Sequence, residues 1–306
     1  MLNRRAFLIS ALICLTPLAT PALSQTSKMP VVASFSILGD IIQNVGGDRI
    51  TLNTLVKSGG DAHVYAPTPA DAKTVSDAKL VISNGLKFEG WMKRLMQSAQ
   101  SKAILVEASH GLKGRNAKKD AHGHSHDHGS VDPHAWQSVS NVKIYVANIR
   151  DALIKADELG KATYEANAAR YIAELDLLDR DIKAVAAKIP DARRKIITTH
   201  DAFGYFQDAY GLQFIAPRGV STESEASAKD VARIIQQIKR EKITAIFIEN
   251  ISDPRLIQQI SSETGAKIGG SLFSDSLSVA DGPAPTYIAM MRHNIRLISE
   301  ALTPKV

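Results

Sequence analysis

Residues 161–190 read KATYEANAARYIAELDLLDRDIKAVAAKIP. Apolar side chains fall at Tyr164, Ala168, Tyr171, Ile172, Leu175, Leu178, Ile182, Val185, Ala186 and Ile189. Steps of three and four with no Gly or Pro inside predict one amphipathic helix over 161–189, ended by Pro190. At ~1.5 Å per residue such a helix runs roughly 40 Å, longer than one domain requires. In mid-chain it reads as a rigid bridge between two lobes, with a long helix inside a single domain as the alternative.

On both sides of it strands alternate with helices. Before it, Val31–Phe35, Ile50–Val56, Leu80–Ser83 and Ala103–Val106 read as strands, and Ile37–Val45, Phe88–Ser98 and Ser140–Leu159 as helices. Thr68-Pro69-Ala70-Asp71 opens a further helix with Pro at its first position. After it, Lys195–Thr199, Phe214–Ala216, Ala245–Ile248 and Lys267–Leu272 read as strands. Phe203–Tyr210, Ala228–Arg240, Pro254–Glu263 and Pro285–Leu302 read as helices. Alternation of this kind implies parallel sheets flanked by helices on both faces. The expected fold is therefore α/β: an N-terminal lobe over 25–160, the linking helix 161–189, and a C-terminal lobe over 190–306. A polar stretch, 111–132, interrupts the first lobe as a long loop.

The first 24 residues read as a signal peptide. Arg4 and Arg5 precede an apolar run, Ala6 to Leu18, and Ala22-Leu23-Ser24 supplies small residues for cleavage before Gln25. The run is too short to span a bilayer and carries Pro17. Asn3-Arg4-Arg5-Ala6-Phe7-Leu8 also resembles a twin-arginine export signal, beside the general secretory route. The lone cysteine, Cys14, lies in this segment without the small residues that precede a lipidated cysteine. The processed chain thus has no thiol, so any metal site must be built from N and O donors. Its formal charge falls from +6 to +4 when the two arginines leave, and no basic-aromatic stripe argues for nucleic acid.

Nine histidines carry the chemistry. His122, His124, His126 and His128 alternate within the polar loop, where composition favours loose metal binding but nothing fixes a geometry. A sharper set is dispersed. His63 follows the strand ending at Val56, His200 follows Ile196-Ile197-Thr198-Thr199, Asp275 follows Ser271-Leu272-Phe273-Ser274, and His134 stands just before a helix. Ligands collect at the C-terminal edges of parallel sheets, so two facing lobes would gather these four in a cleft. Three imidazoles and a carboxylate form a four-coordinate site that suits Zn2+, with Mn2+ or Fe tolerated if Asp275 turns bidentate. Taken singly, each histidine reads as well as a structural residue. Glu249 ends the strand Ile246-Phe247-Ile248 and is a candidate partner for a ligand or a lobe-closing ion pair, with a plain surface role as the alternative.

Four motifs in order resemble the zinc and manganese substrate-binding proteins of bacterial ABC importers. They are Asp61-Ala62-His63-Val64-Tyr65-Ala66-Pro67-Thr68-Pro69, Val131-Asp132-Pro133-His134-Ala135-Trp136, Thr199-His200-Asp201-Ala202-Phe203-Gly204-Tyr205 and Gly270-Ser271-Leu272-Phe273-Ser274-Asp275-Ser276-Leu277. The resemblance implies that His63, His134, His200 and Asp275 are the metal ligands and that one long helix joins two lobes. It also implies a periplasmic carrier, a membrane permease as partner, a periplasmic metallochaperone as a further candidate, and a monomer. Members read as manganese binders carry Glu where this chain has His200, and a histidine-rich loop is typical of zinc members, so the resemblance favours zinc. The first motif departs from it at Ala62, where Pro is common, and at Ala66, where Glu often stands; neither is a ligand. A zinc-dependent hydrolase is the competing class, and it needs an open coordination position and a nearby base. Four protein ligands close the shell and no His-Glu-x-x-His motif is present, so no enzyme is expected.

Overall fold

The computed structural model describes residues 27–117 and 131–303. The signal segment and the alternating histidines 122–128 lie outside the described residues.

The first lobe carries β1 (Met29–Phe35), α1 (Ser36–Gly46), β2 (Ile50–Val56), α2 (Pro69–Asp77), β3 (Leu80–Ser83), α3 (Met92–Ser98), β4 (Ile104–Glu107) and α4 (Val139–Ala156). The long helix is α5 (Lys161–Ala186). The second lobe carries β5 (Lys195–Ile197), α6 (Gly204–Tyr210), β6 (Gln213–Ile215), α7 (Ala228–Glu241), β7 (Ala245–Glu249), α8 (Arg255–Thr264), β8 (Lys267–Leu272) and α9 (Tyr287–Leu302). Each lobe has one four-stranded sheet, ordered β2-β1-β3-β4 and β6-β5-β7-β8. All six pairings are parallel. The central strands β1 and β3 are almost continuously apolar and buried, as strands covered on both faces must be.

Tyr164, Ala168, Tyr171, Leu175, Leu178, Ile182 and Ala186 line the buried face of α5. They join one hydrophobic core running from the first sheet, through α4, α5, α6 and α9, to Ile196, Phe214, Phe247 and Leu272 of the second sheet. A separate cluster, nearly all isoleucine, fills the space between the other face of the second sheet and α7 and α8; it includes Ile197, Ile234, Ile246 and Ile257. At ~1.5–3 kcal/mol per buried large aliphatic side chain, the shared core outweighs any single polar contact between the lobes.

Two expected helices differ from what is observed. The helix expected from Phe88 starts only at Met92. Gly85, Leu86 and Lys87 take three successive positive φ values. The buried Glu89 carboxylate accepts from Ser34 Oγ and Asn84 N, which holds that turn in place of a first helical turn. The helix expected to run to Leu159 ends at Ala156. Asp157 breaks it there, accepting from Arg49 and from Tyr164, the latter on α5. By contrast α2 begins where expected, with Thr68 and Asp71 forming a capping box around Pro69.

Candidate metal centre

The strand order of each sheet reverses between its first and third strands, and the crevice at such a point is where side chains from successive loops converge. In the first lobe Asn84, just past β3, donates to Pro133 O at 2.9 Å and so seats the loop that carries His134. In the second lobe Glu249, the last residue of β7, accepts from the backbone N–H groups of Thr199 and His200, just past β5, at 2.7 and 2.9 Å.

The structure brings His63, His134, His200 and Asp275 together, with one donor atom from each inside a 4.8 Å span. All four are buried; His63 retains 8% exposure, and the other three 1% or less. His63 Nε2 lies 3.3 Å from both His134 Nε2 and Asp275 Oδ2. His200 Nε2 lies 3.1 Å from Asp275 Oδ2, and His134 Nε2 3.5 Å from Oδ1. A tetrahedral ion with bonds of ~2.0–2.1 Å separates its donors by about 3.3–3.4 Å, so the spacing fits a small divalent cation. Both Asp275 oxygens and His200 Nε2 are buried without an aligned hydrogen bond. Buried carboxylates are costly unless paired, and three imidazoles face this one.

Local chemistry explains how each of the four side chains is aimed. In Asp61-Ala62-His63 and Asp132-Pro133-His134 the aspartate accepts from the histidine backbone N–H two residues on, at 2.9 and 3.0 Å. These are Asx turns, and the recurrence of Asp-x-His is their signature in the sequence. Asp132 goes further: its Oδ1 also lies 2.8 Å from His134 Nδ1, which leaves Nε2 for the centre. Behind His200, Glu249 Oε2 lies 2.5 Å from Nδ1, a close charge contact without hydrogen-bond alignment. Glu249 and His200 belong to the same lobe, so the contact holds the His200 ring and does not tie the lobes. Asp275 is fixed through its neighbour: Ser274 O accepts from Trp136 Nε1 at 2.9 Å and Gln137 Nε2 at 2.8 Å, both from the first lobe.

Charge follows the same pattern. Burial opposes a proton on His134, but Asp275 and Asp132 outweigh it and raise its pKa to about 9. His200 is likewise raised well above the ordinary histidine value, burial again opposing and Glu249 and Asp275 prevailing. Burial pushes Asp275 up, yet the facing His200 and His134 hold it well below the usual carboxylate range. Each of the three thus favours its charged form because of the others. His293 is elsewhere, with Nε2 3.1 Å from Ser271 O. Beside Asp132, Asn116 and Val131 form an isolated antiparallel bridge, and Arg115 pairs with Asp132 at 3.3 Å.

A fold of two linked parallel-sheet lobes with a buried His3Asp centre between them is that of a metal-carrying solute-binding protein. Residues 31–301 match the profile of the zinc-uptake complex component A family, periplasmic, and the chain belongs to that family of metal-binding proteins of ABC importers. It is 33% identical to the manganese ABC transporter substrate-binding lipoprotein of Streptococcus gordonii, over 91% of this chain and 90% of that one. It is 32% identical to the iron-binding protein YfeA of Yersinia pestis, over 95% and 92%. Among solved structures it is similar to the periplasmic zinc binding protein TroA of Treponema pallidum, with a TM-score of 0.83, 30% identity, and coverage of 90% of this chain and 100% of that one. The chain is a substrate-binding protein, not an enzyme, and the family works with the permease and ATPase components of ABC importers. Among the described residues, no helix is long and apolar enough to cross a membrane.

Proposed function

We propose that this protein captures Zn2+ in the periplasm with His63, His134, His200 and Asp275 and passes it to a membrane permease. The observation that carries the reading is the buried Asp275 carboxylate, unpartnered by any aligned hydrogen bond and faced by three imidazole Nε2 atoms. A closed N3O shell at tetrahedral spacing suits zinc, and the third imidazole favours it over harder cations. The protons on His134 and His200 leave as the metal arrives, so capture and proton release are one event. Residues 1–24 direct export, and His122, His124, His126 and His128 raise the local zinc concentration near the centre.

Manganese or iron is the second reading. It is favoured by Asp275, whose two oxygens both face the imidazoles and offer a fifth donor, and by relatives named for those metals. Competition between Zn2+ and Mn2+ at equal free concentration, read by metal analysis of the recovered protein, separates the two. Zinc should fill the site at one ion per chain; preferential retention of manganese would overturn the zinc assignment while leaving the carrier intact.

A further inference from the structure

The four residues of the centre are not held equally. His134 is gripped by Asp132 at both its backbone and its ring, and His200 by Glu249 at both. Asp275 sits between anchored neighbours. His63 is different. Asp61 holds its backbone N–H, but among the described residues no carboxylate faces its Nδ1. Its ring rests edge-on against Phe88, with centroids 4.7 Å apart. It is also the most exposed of the four. An imidazole with no charged partner behind it, on a turn next to solvent, is the donor that leaves at least cost.

Within its own lobe the turn is held by Trp91 Nε1, which donates to Ala62 O at 2.8 Å, and a second restraint comes from the other lobe. Asp61 Oδ1 takes the His63 N–H, and Asp61 Oδ2 accepts from Thr222 Oγ at 2.6 Å. Thr222 lies in the loop 216–227 between β6 and α7. The same loop accepts, through Gly219 O, the N–H of Asp201 at 3.1 Å, one residue after His200. One segment of the second lobe thus touches the immediate neighbours of two histidines on opposite sides of the cleft.

We infer that Thr222 is a positioning residue: through Asp61 it clasps the His63 turn across the cleft and sets how fast the bound cation leaves. The inference rests on the reading of the four residues as cargo ligands. Departure begins with His63, whose side of the turn loosens once the Thr222–Asp61 bond opens, with Trp91 still holding Ala62, while the other three stay in place. The clasp acts after capture, so it governs the dissociation rate and hardly touches association.

The test uses the full processed chain loaded with Zn2+ and mixed with excess chelator in a stopped-flow instrument. Thr222→Val and Thr222→Ala both remove the hydroxyl and differ in bulk. Each should still bind one zinc per chain and release it about 10-fold faster, the scale of a lost hydrogen bond to a charged acceptor, with association within about twofold of wild type. Thr222→Ser keeps the hydroxyl and should restore the slow rate. If wild type binds one zinc and both hydroxyl-free variants release it at the wild-type rate, the clasp is overturned and the metal site stands. Failure of the serine variant to restore the rate also overturns it, since bulk and not the hydrogen bond would then be responsible. If wild type binds no metal, the cargo reading itself falls, and the clasp with it.

Discussion

The two lobes share one strand order and contribute to the centre in opposite ways. The first lobe supplies His63 and His134, two imidazoles on Asx turns. The second supplies Asp275, the one carboxylate of the four, and His200, whose ring meets Glu249 from a neighbouring strand, whereas the carboxylate behind His134 in the first lobe is Asp132, two residues away. Their cores differ as well. The buried apolar residues of the first sheet all join the shared core, while those of the second are split between that core and the isoleucine cluster under α7 and α8. A common topology therefore fixes where ligands emerge, at the C-terminal edges of the strands. It leaves open which charge each lobe provides and how firmly each ligand is braced.

The comparison breaks most readily at Asp275. Asp275→Ala should weaken zinc binding more than any other single change, by about 100-fold to 1,000-fold, on the order of a quarter of the free energy of a four-ligand zinc site. Calorimetry should rank Asp275→Ala above His200→Ala and His134→Ala, with His63→Ala mildest. A His63→Ala loss equal to that of His200→Ala would mean that bracing plays no part in the energetics.

Next comes pH. His134, raised to about 9, and His200, raised well above the ordinary histidine value, hold protons in the metal-free protein at pH 7. Zinc must displace both, so affinity should rise with pH, by up to about 100-fold between pH 6 and 7. Calorimetry in buffers of different ionisation enthalpy should count close to two protons released per zinc. A count near zero would show that the imidazoles are already neutral and that the carboxylates do not set their charge.

The braces themselves should be worth less. Glu249→Gln and Asp132→Asn each remove the negative charge behind a ligand histidine, and each should weaken zinc binding about 10-fold to 100-fold while stoichiometry stays at one. The loss should be greater at Glu249, which also gathers two backbone N–H groups. Equal affinity in both variants and wild type would reduce these carboxylates to folding contacts.

The smallest effect sharpens the seam between the lobes. Asp40 on α1 accepts from Tyr287 N at the start of α9 at 2.9 Å, and burial raises its pKa to about 6. Its carboxylate is ionised in the unfolded chain above 3.8, so the folded state is penalised at neutral pH and regains stability as pH falls through about 6. Asp40→Asn removes the charge and keeps an acceptor, and should raise unfolding free energy at pH 7 by about 1–2 kcal/mol while flattening its change between pH 6 and 4. Chemical denaturation of the metal-free protein at several pH values measures this. A destabilised variant would show that the ion itself holds the seam.

Much of this was legible in local sequence. The 3.6-residue period of α5 and its end near Pro190 needed no tertiary information, because a helix of that length is specified by its own buried stripe. The positions of His63, His200 and Asp275 past strand ends were equally local. The Asp-x-His turns were open to reading too, since the carboxylate and the N–H it accepts lie two residues apart. The start of α3 was not. Its delay depends on Glu89 reaching Ser34, a residue 55 positions away. Nor was the role of Glu249 settled, because a strand-end glutamate reads the same whether it faces solvent or a ring 49 residues earlier in the chain.

By itself the sequence determined two α/β halves around a long helix, and a thiol-free set of N and O donors at strand edges, because periodicity and residue chemistry are properties of short segments. Tertiary structure alone decided that four donors from two lobes meet at 3.1–3.5 Å. It alone decided which histidines carry a carboxylate behind them, and that Thr222 reaches Asp61 over 161 residues. Those pairings depend on how two sheets face each other, and that is set by packing through the core they share.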